Sequence, residues 1–128
     1  MVNTSFQYYQ YLYVLNNDEA AKLPNGSWDN NARNWELKAA CREETNGKGA
    51  TIQTADRKDF VFASLIQLPK GTQRINEGTE IVVTSEEVDT KQLLEPGFID
   101  SAKITGLVVV TGICQKFDFG RLHCRMWI

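Results

Sequence analysis

One histidine, three cysteines and a few paired carboxylates carry most of the reactive chemistry in this chain of 128 residues. His123 and Cys124 are adjacent, which invites comparison with a Cys–His nucleophile pair. The segment that holds them, Arg121-Leu122-His123-Cys124-Arg125-Met126-Trp127-Ile128, alternates with the period of a half-buried strand. Neighbours on a strand point to opposite faces, so His123 and Cys124 cannot share a hydrogen bond. Leu122, Cys124, Met126 and Ile128 form the apolar face, and His123, Arg125 and Trp127 form the other. This second face is the candidate interaction face: a Trp flanked by Arg and His could stack on a base or anchor a protein partner. The same residues also suit cross-strand pairing with Glu36 or Glu80 and ordinary packing of Trp127.

Other chemistries find less support. Cys41, Cys114 and Cys124 are an odd number with no short spacing, which fits neither a disulfide framework nor a paired-cysteine zinc site. All three lie in apolar, strand-like segments and are expected to be buried free thiols. An enzyme would need Cys41 or His123 beside a pocket with a matched pKa. Gly47-Lys48-Gly49-Ala50-Thr51 lacks the spacing of a phosphate-binding loop, and no Glu-x-x-His or His-x-x-x-His motif is present. The pairs Glu43-Glu44 and Glu86-Glu87 fall in turn or loop segments and read as solvated. The expectation is a non-enzymatic protein with no catalytic residue, metal or cofactor.

Charge distribution is more telling than the net charge of −2. Residues 76–100 hold seven acidic side chains against one Lys, whereas residues 103–128 hold four basic against one acidic. That is not the basic surface of a duplex-binding protein. It suits charge-complementary contact between copies of the chain, or a solvated acidic loop built on Glu86, Glu87 and Asp89.

These side chains must be positioned by β structure. Thirteen aromatic residues, with Val, Ile and Thr crowded into the apolar runs, favour strands. The segment 6–15 (FQYYQYLYVL) predicts a strand with Tyr8, Leu12 and Val14 on one face and Tyr9, Tyr11, Tyr13 and Leu15 on the other. Both faces are apolar or aromatic, so both should be covered, by the core or by another subunit. That makes Tyr9, Tyr11 and Tyr13 further candidates for an interaction face.

Residues 16–22 could form one helical turn capped by Asn17 or Asp18, broken by Pro24-Asn25-Gly26. The sequon matches Asn3-Thr4-Ser5 and Asn25-Gly26-Ser27 read as turn chemistry. Residues 35–42 alternate well, with Trp35, Leu37, Ala39 and Cys41 on one face and Glu36, Lys38 and Arg42 on the other, which predicts a strand although the segment also has decent helix propensity. Asn46-Gly47 marks a turn, residues 51–54 a short strand, and residues 60–68 (FVFASLIQL) the strongest single strand, stopped by Pro69. Residues 80–84 form another strand. Thr84 and Glu87 have capping-box spacing, which predicts a short helix over 85–94 closed by Pro96-Gly97. Residues 86–101 otherwise read as a mobile insertion. The run 107–114 leads through Asp118-Phe119-Gly120, a reversal, into the last strand.

A single β domain over 1–128 follows, a small antiparallel barrel or sandwich of about six to eight strands with one or two short helical pieces. The start has neither a basic region nor an apolar core of the secretory type, and no run approaches a membrane span. A cytoplasmic protein without membrane contact is expected.

Two stretches carry a family resemblance. They are the strand and turn from Phe60-Val61-Phe62 through Pro69-Lys70-Gly71 and Ile75-Asn76-Glu77-Gly78-Thr79-Glu80-Ile81-Val82-Val83, and the terminal hairpin from Gln115 to Ile128. Their order is similar to that of small tailed-phage virion proteins of the head-closure, head–tail connector or minor capsid type. The resemblance covers about half the chain and leaves out the Tyr-rich start and residues 86–101. It implies a β-barrel, self-assembly into rings between portal and tail proteins, and loops that plug or line a DNA channel; the sparse Lys and Arg separately argue against a specific nucleic-acid site. Acidic Glu86, Glu87 and Asp89 would keep DNA from sticking to such a channel. When isolated, the protein would be a monomer or dimer. The alternative is a small cytoplasmic β-barrel, encoded on mobile DNA, that binds a ligand or a protein partner.

Overall fold

The computed structural model describes residues 5–17, 33–53 and 57–128. The helical turn at 16–22, the break at Pro24-Asn25-Gly26 and both sequon matches lie wholly or largely outside the described residues. Among the described residues there are nine strands: β1 Gln10–Asn17, β2 Arg33–Thr45, β3 Thr51–Gln53, β4 Asp59–Val61, β5 Ser64–Pro69, β6 Glu80–Thr84, β7 Val108–Ile113, β8 Lys116–Phe119 and β9 His123–Trp127. A 3-10 turn, Gln92–Leu94, and one helix, α1 Phe98–Thr105, separate β6 from β7. Seven strands form one antiparallel sheet in the order β7-β6-β1-β2-β5-β9-β8, and β3 and β4 pair apart from it. The fold is mainly β, as the alternating segments require.

The two edges of the large sheet are consecutive in sequence. Cys114 N–H donates to the Thr79 carbonyl beside β6 (2.8 Å), and Gln115 N–H donates to the Trp127 carbonyl on β9 (2.7 Å). One bent segment therefore reaches both sides of a curled sheet. No closed barrel forms among the described residues, because β7 and β8 do not pair with each other. The inner face buries Leu12, Val14, Ala39, Cys41, Ile66, Leu68, Ile81, Val83, Phe117, Cys124, Met126 and Ile128. The outer face of β6, β1 and β2 is covered by the 3-10 turn and α1. Tyr13, Val82, Leu93, Ala102 and Val108 are buried there, with Tyr11, Trp35, Leu37, Phe98 and Ile99 packed around them. The tyrosine-rich strand is thus covered on both faces by its own chain.

Several local expectations are corrected. The first strand begins at Gln10 rather than Phe6, because Ser5 closes a turn with Tyr8: Ser5 N–H donates to the Tyr8 carbonyl and the Ser5 hydroxyl accepts from Tyr8 N–H. Register jumps at Lys38, since Leu12 faces Ala39 whereas Tyr13 faces Leu37. A one-residue bulge reverses the side to which the strand points. Ala39 and Cys41 therefore enter the inner core, whereas Trp35 and Leu37 pack on the outer face.

The run 60–68 is divided into β4 and β5. Asn46 Nδ2 donates to the Phe62 carbonyl, Asn46 N–H donates to the Ala63 carbonyl, and Ala63 N–H donates to the Ile128 carbonyl. These bonds bend the backbone where periodicity alone predicts continuity.

The helix starts where it was expected to end. Gly97, with φ of 80°, is the N-cap of α1 rather than the stop of a helix over 85–94. Thr84 does not cap a helix; its hydroxyl donates to the Glu86 carbonyl (2.6 Å). The final reversal lies at 120–122, with Asp118 and Phe119 in β8. Gly120 is required there because a Cβ would collide with the His123 carbonyl oxygen. Leu122 sits on this turn, 79% exposed, and not on the apolar face of β9.

Candidate functional site

β9 lies between β5 and β8, and this position decides what His123, Arg125 and Trp127 can do. Arg125 faces Gln67 on β5 and Asp118 on β8, while Trp127 faces Leu65 and Lys116. Glu36 and Glu80, expected as cross-strand partners, belong to other strands. Lys116 Nζ and Arg125 Cζ each stand 5.4 Å from the Trp127 ring centre. Lys116 also approaches Asp118 at 3.9 Å, a partly exposed pair of small energetic weight. Trp127 is only 8% exposed, so its ring is closed to a stacking base. The face offers an exposed Arg125, a half-buried His123 and the alternating charges of Lys116 and Asp118. Such a surface suits polar contact with a protein.

Cys124 points into the inner core, away from His123 on the other face of the strand. All three thiols are free and buried. Burial, assisted by the nearby Glu43 charge, pushes the Cys41 thiol up to about 12. Burial, assisted by Glu77, pushes Cys114 up to about 11. Thiolate is the nucleophile and the metal ligand, so burial disfavours both roles. Among the described residues no group of three His, Cys, Asp or Glu side chains is placed to hold a metal ion.

One polar cluster at the rim of the inner face escaped the sequence reading. Glu43 Oε2 accepts from the Ser64 hydroxyl (2.6 Å) and the Thr45 hydroxyl (2.8 Å). Glu43 N–H donates to Gln10 Oε1 (2.8 Å). The Glu43-Glu44 pair is therefore divided in role: Glu43 ties β1, β2 and β5 together, and Glu44 pairs loosely with Arg42 at 3.6 Å.

The tyrosines separate in the same way. Tyr9 is exposed and Tyr11 half-buried, but Tyr13 is fully buried and withdrawn from any interaction face. Its hydroxyl donates to the Val88 carbonyl (3.1 Å) and accepts from Val88 N–H (2.8 Å). Burial raises its pKa above the usual tyrosine value. Glu86, Glu87 and Asp89 are exposed on the loop so anchored, and Asp89 accepts from Lys91 N–H (3.0 Å).

Among the described residues β7 pairs with β6 and with no strand on its other side, and β8, at the opposite edge of the sheet, likewise pairs only with β9. Val109 (37% exposed) and Ile113 (45% exposed) lie along β7. Thr111 and Ile113 border a mostly apolar groove of about 270 Å³ shared with Trp35, Ile81, Val82 and Ile99 and with one charged residue, Glu80. A legible signal for this edge was available, because residues 104–115 include no charged side chain.

No helix among the described residues is long and apolar enough to cross a membrane. Comparison of the chain with protein families, curated proteins and solved structures finds no match.

Proposed function

We infer that this chain is a non-enzymatic assembly protein that works through contacts with copies of itself and with partner proteins. The finer reading is a phage or prophage component of the head–tail connector type, made in the bacterial cytoplasm and carried into the particle. The observation that carries the assembly reading is the open edge β7, which presents Val109 and Ile113 to solvent. Edges of this kind are normally blunted by charge or proline, because they template pairing with another chain. The polar face around His123 and Arg125 and the anchored acidic loop supply further surfaces for a protein partner. Buried thiols with raised pKa values and a His123 turned away from Cys124 weigh against nucleophilic catalysis.

Light scattering across a wide concentration range, with negative-stain images, tests this reading. Concentration-dependent dimers or rings are expected. A strict monomer at every concentration, alone or mixed with portal and tail proteins, overturns it. The groove beside Trp35 and Ile99 favours a second reading, a small domain that binds an apolar ligand. Native mass spectrometry of freshly purified protein separates the two, since a copurified small molecule supports only the second.

A further inference from the structure

We propose that β7 is a self-pairing edge: two copies of the chain join their β7 strands antiparallel about a two-fold axis at Thr111, forming one sheet across the dimer. This deepens the assembly reading above and rests on it.

Three observations lead to this arrangement. First, the β6–β7 register pairs Val110 with Val83 and Gly112 with Ile81, extends to Cys114, whose N–H donates to the Thr79 carbonyl, and shifts at the other end, where a bulge leaves Val109 without a partner on β6. Alternation in an antiparallel ladder then turns the backbone N–H and C=O of Thr111 and Ile113 away from β6. Gln115 lies two residues further along, and its outward N–H already donates to the Trp127 carbonyl.

Second, the strand is complementary to itself. With Thr111 opposite its own copy, Val109 of one protomer meets Ile113 of the partner, and Ile113 meets the partner's Val109. These are two of the large apolar side chains that the fold leaves exposed. Their pairing continues the apolar groove formed by Trp35, Ile99 and Ile113 onto the partner. A two-fold interface has this reciprocal form.

Third, charge does not oppose the approach. The window 104–115 is uncharged, so the paired β7 strands themselves bring no like charges face to face; the charge beside them is Glu80, which faces Ile113 across the β6–β7 ladder. Five of the six residues in β7 are β-branched, the type that pairs well across strands. An unrelated peptide could add to the same edge, but it would lack the reciprocal Val109–Ile113 match.

Cross-linking and light scattering test the proposal together. In an antiparallel hydrogen-bonded pair the two Cα atoms lie roughly 5.5 Å apart, within the span of a disulfide. Thr111→Cys should therefore give a covalent dimer under mild oxidation, whereas the wild-type thiols, all buried, should give none. Ile113→Lys should weaken association about tenfold or more, as an edge charge does. Leu122→Lys, at the exposed turn between β8 and β9, should leave association unchanged. Circular dichroism confirms that each variant folds.

Oligomers that persist in Ile113→Lys, together with no cross-link in Thr111→Cys, overturn the β7 assignment and leave the assembly reading standing. A cross-linked dimer that forms no larger assembly with itself or with portal and tail proteins upholds β7 pairing and removes the connector reading. A monomer that neither cross-links nor associates at any concentration overturns both.

Discussion

Replacing Tyr13 with Phe removes one oxygen from the outer core and with it two hydrogen bonds to Val88. Ring packing against Val82, Leu93, Ala102 and Val108 is kept, so no large cavity forms. The loss is confined to polar terms. Each intramolecular hydrogen bond contributes about 0.5–1.5 kcal/mol net, so the pair should cost about 1–3 kcal/mol. Val88 is only partly buried and water can reach its freed amide, which favours the lower half of that range. Urea denaturation of wild type and Tyr13→Phe should show a lower midpoint with an unchanged slope. Hydrogen exchange should quicken at the Val88 amide and in residues 86–91, while the inner strands β5 and β9 keep their relative protection. A destabilisation below about 0.3 kcal/mol, with unchanged exchange at Val88, would refute the idea that this hydroxyl anchors the acidic loop.

Three further outcomes follow from the geometry. The folded Cys41 thiol is held up to about 12 from an ordinary value of 9.0, so the unfolded chain releases this proton first as pH rises. Stability should be level below the ordinary value and then fall by about 1.4 kcal/mol per pH unit on account of this group. Urea titrations from about pH 8 to 10.5 should show a shallower fall in Cys41→Ala; equal slopes would sink the assignment. Trp127→Ala should cost about 3 kcal/mol, because the ring is largely buried beneath Lys116 and Arg125. A loss under about 1 kcal/mol in chemical denaturation would mean that the ring is not part of the packed sheet. Gly120→Ala should destabilise the β8–β9 turn by about 1–3 kcal/mol, read as a lower melting temperature, since its Cβ meets the His123 carbonyl oxygen. An unchanged melting temperature would contradict that turn geometry.

Much of this protein could be read from residue order alone. Alternation in 121–128 separates His123 from Cys124 whatever the tertiary fold, because strand periodicity is a local property. The strand at 80–84, the turn at Asn46-Gly47 and the burial of all three cysteines follow from equally local signals. Tertiary structure decided what local signals leave open. The bulge at Lys38 divides Trp35 and Leu37 from Ala39 and Cys41, because register depends on the partner strand. Placement of β9 between β5 and β8 gives Arg125 its neighbours Gln67 and Asp118 and closes Trp127 to stacking. The segment 86–101 is tied to the sheet at Val88 by Tyr13, which lies 75 residues away along the chain. Contacts at that separation leave no periodic trace, and so the curl of the sheet and its one-sided β7 edge emerge only when the chain is folded.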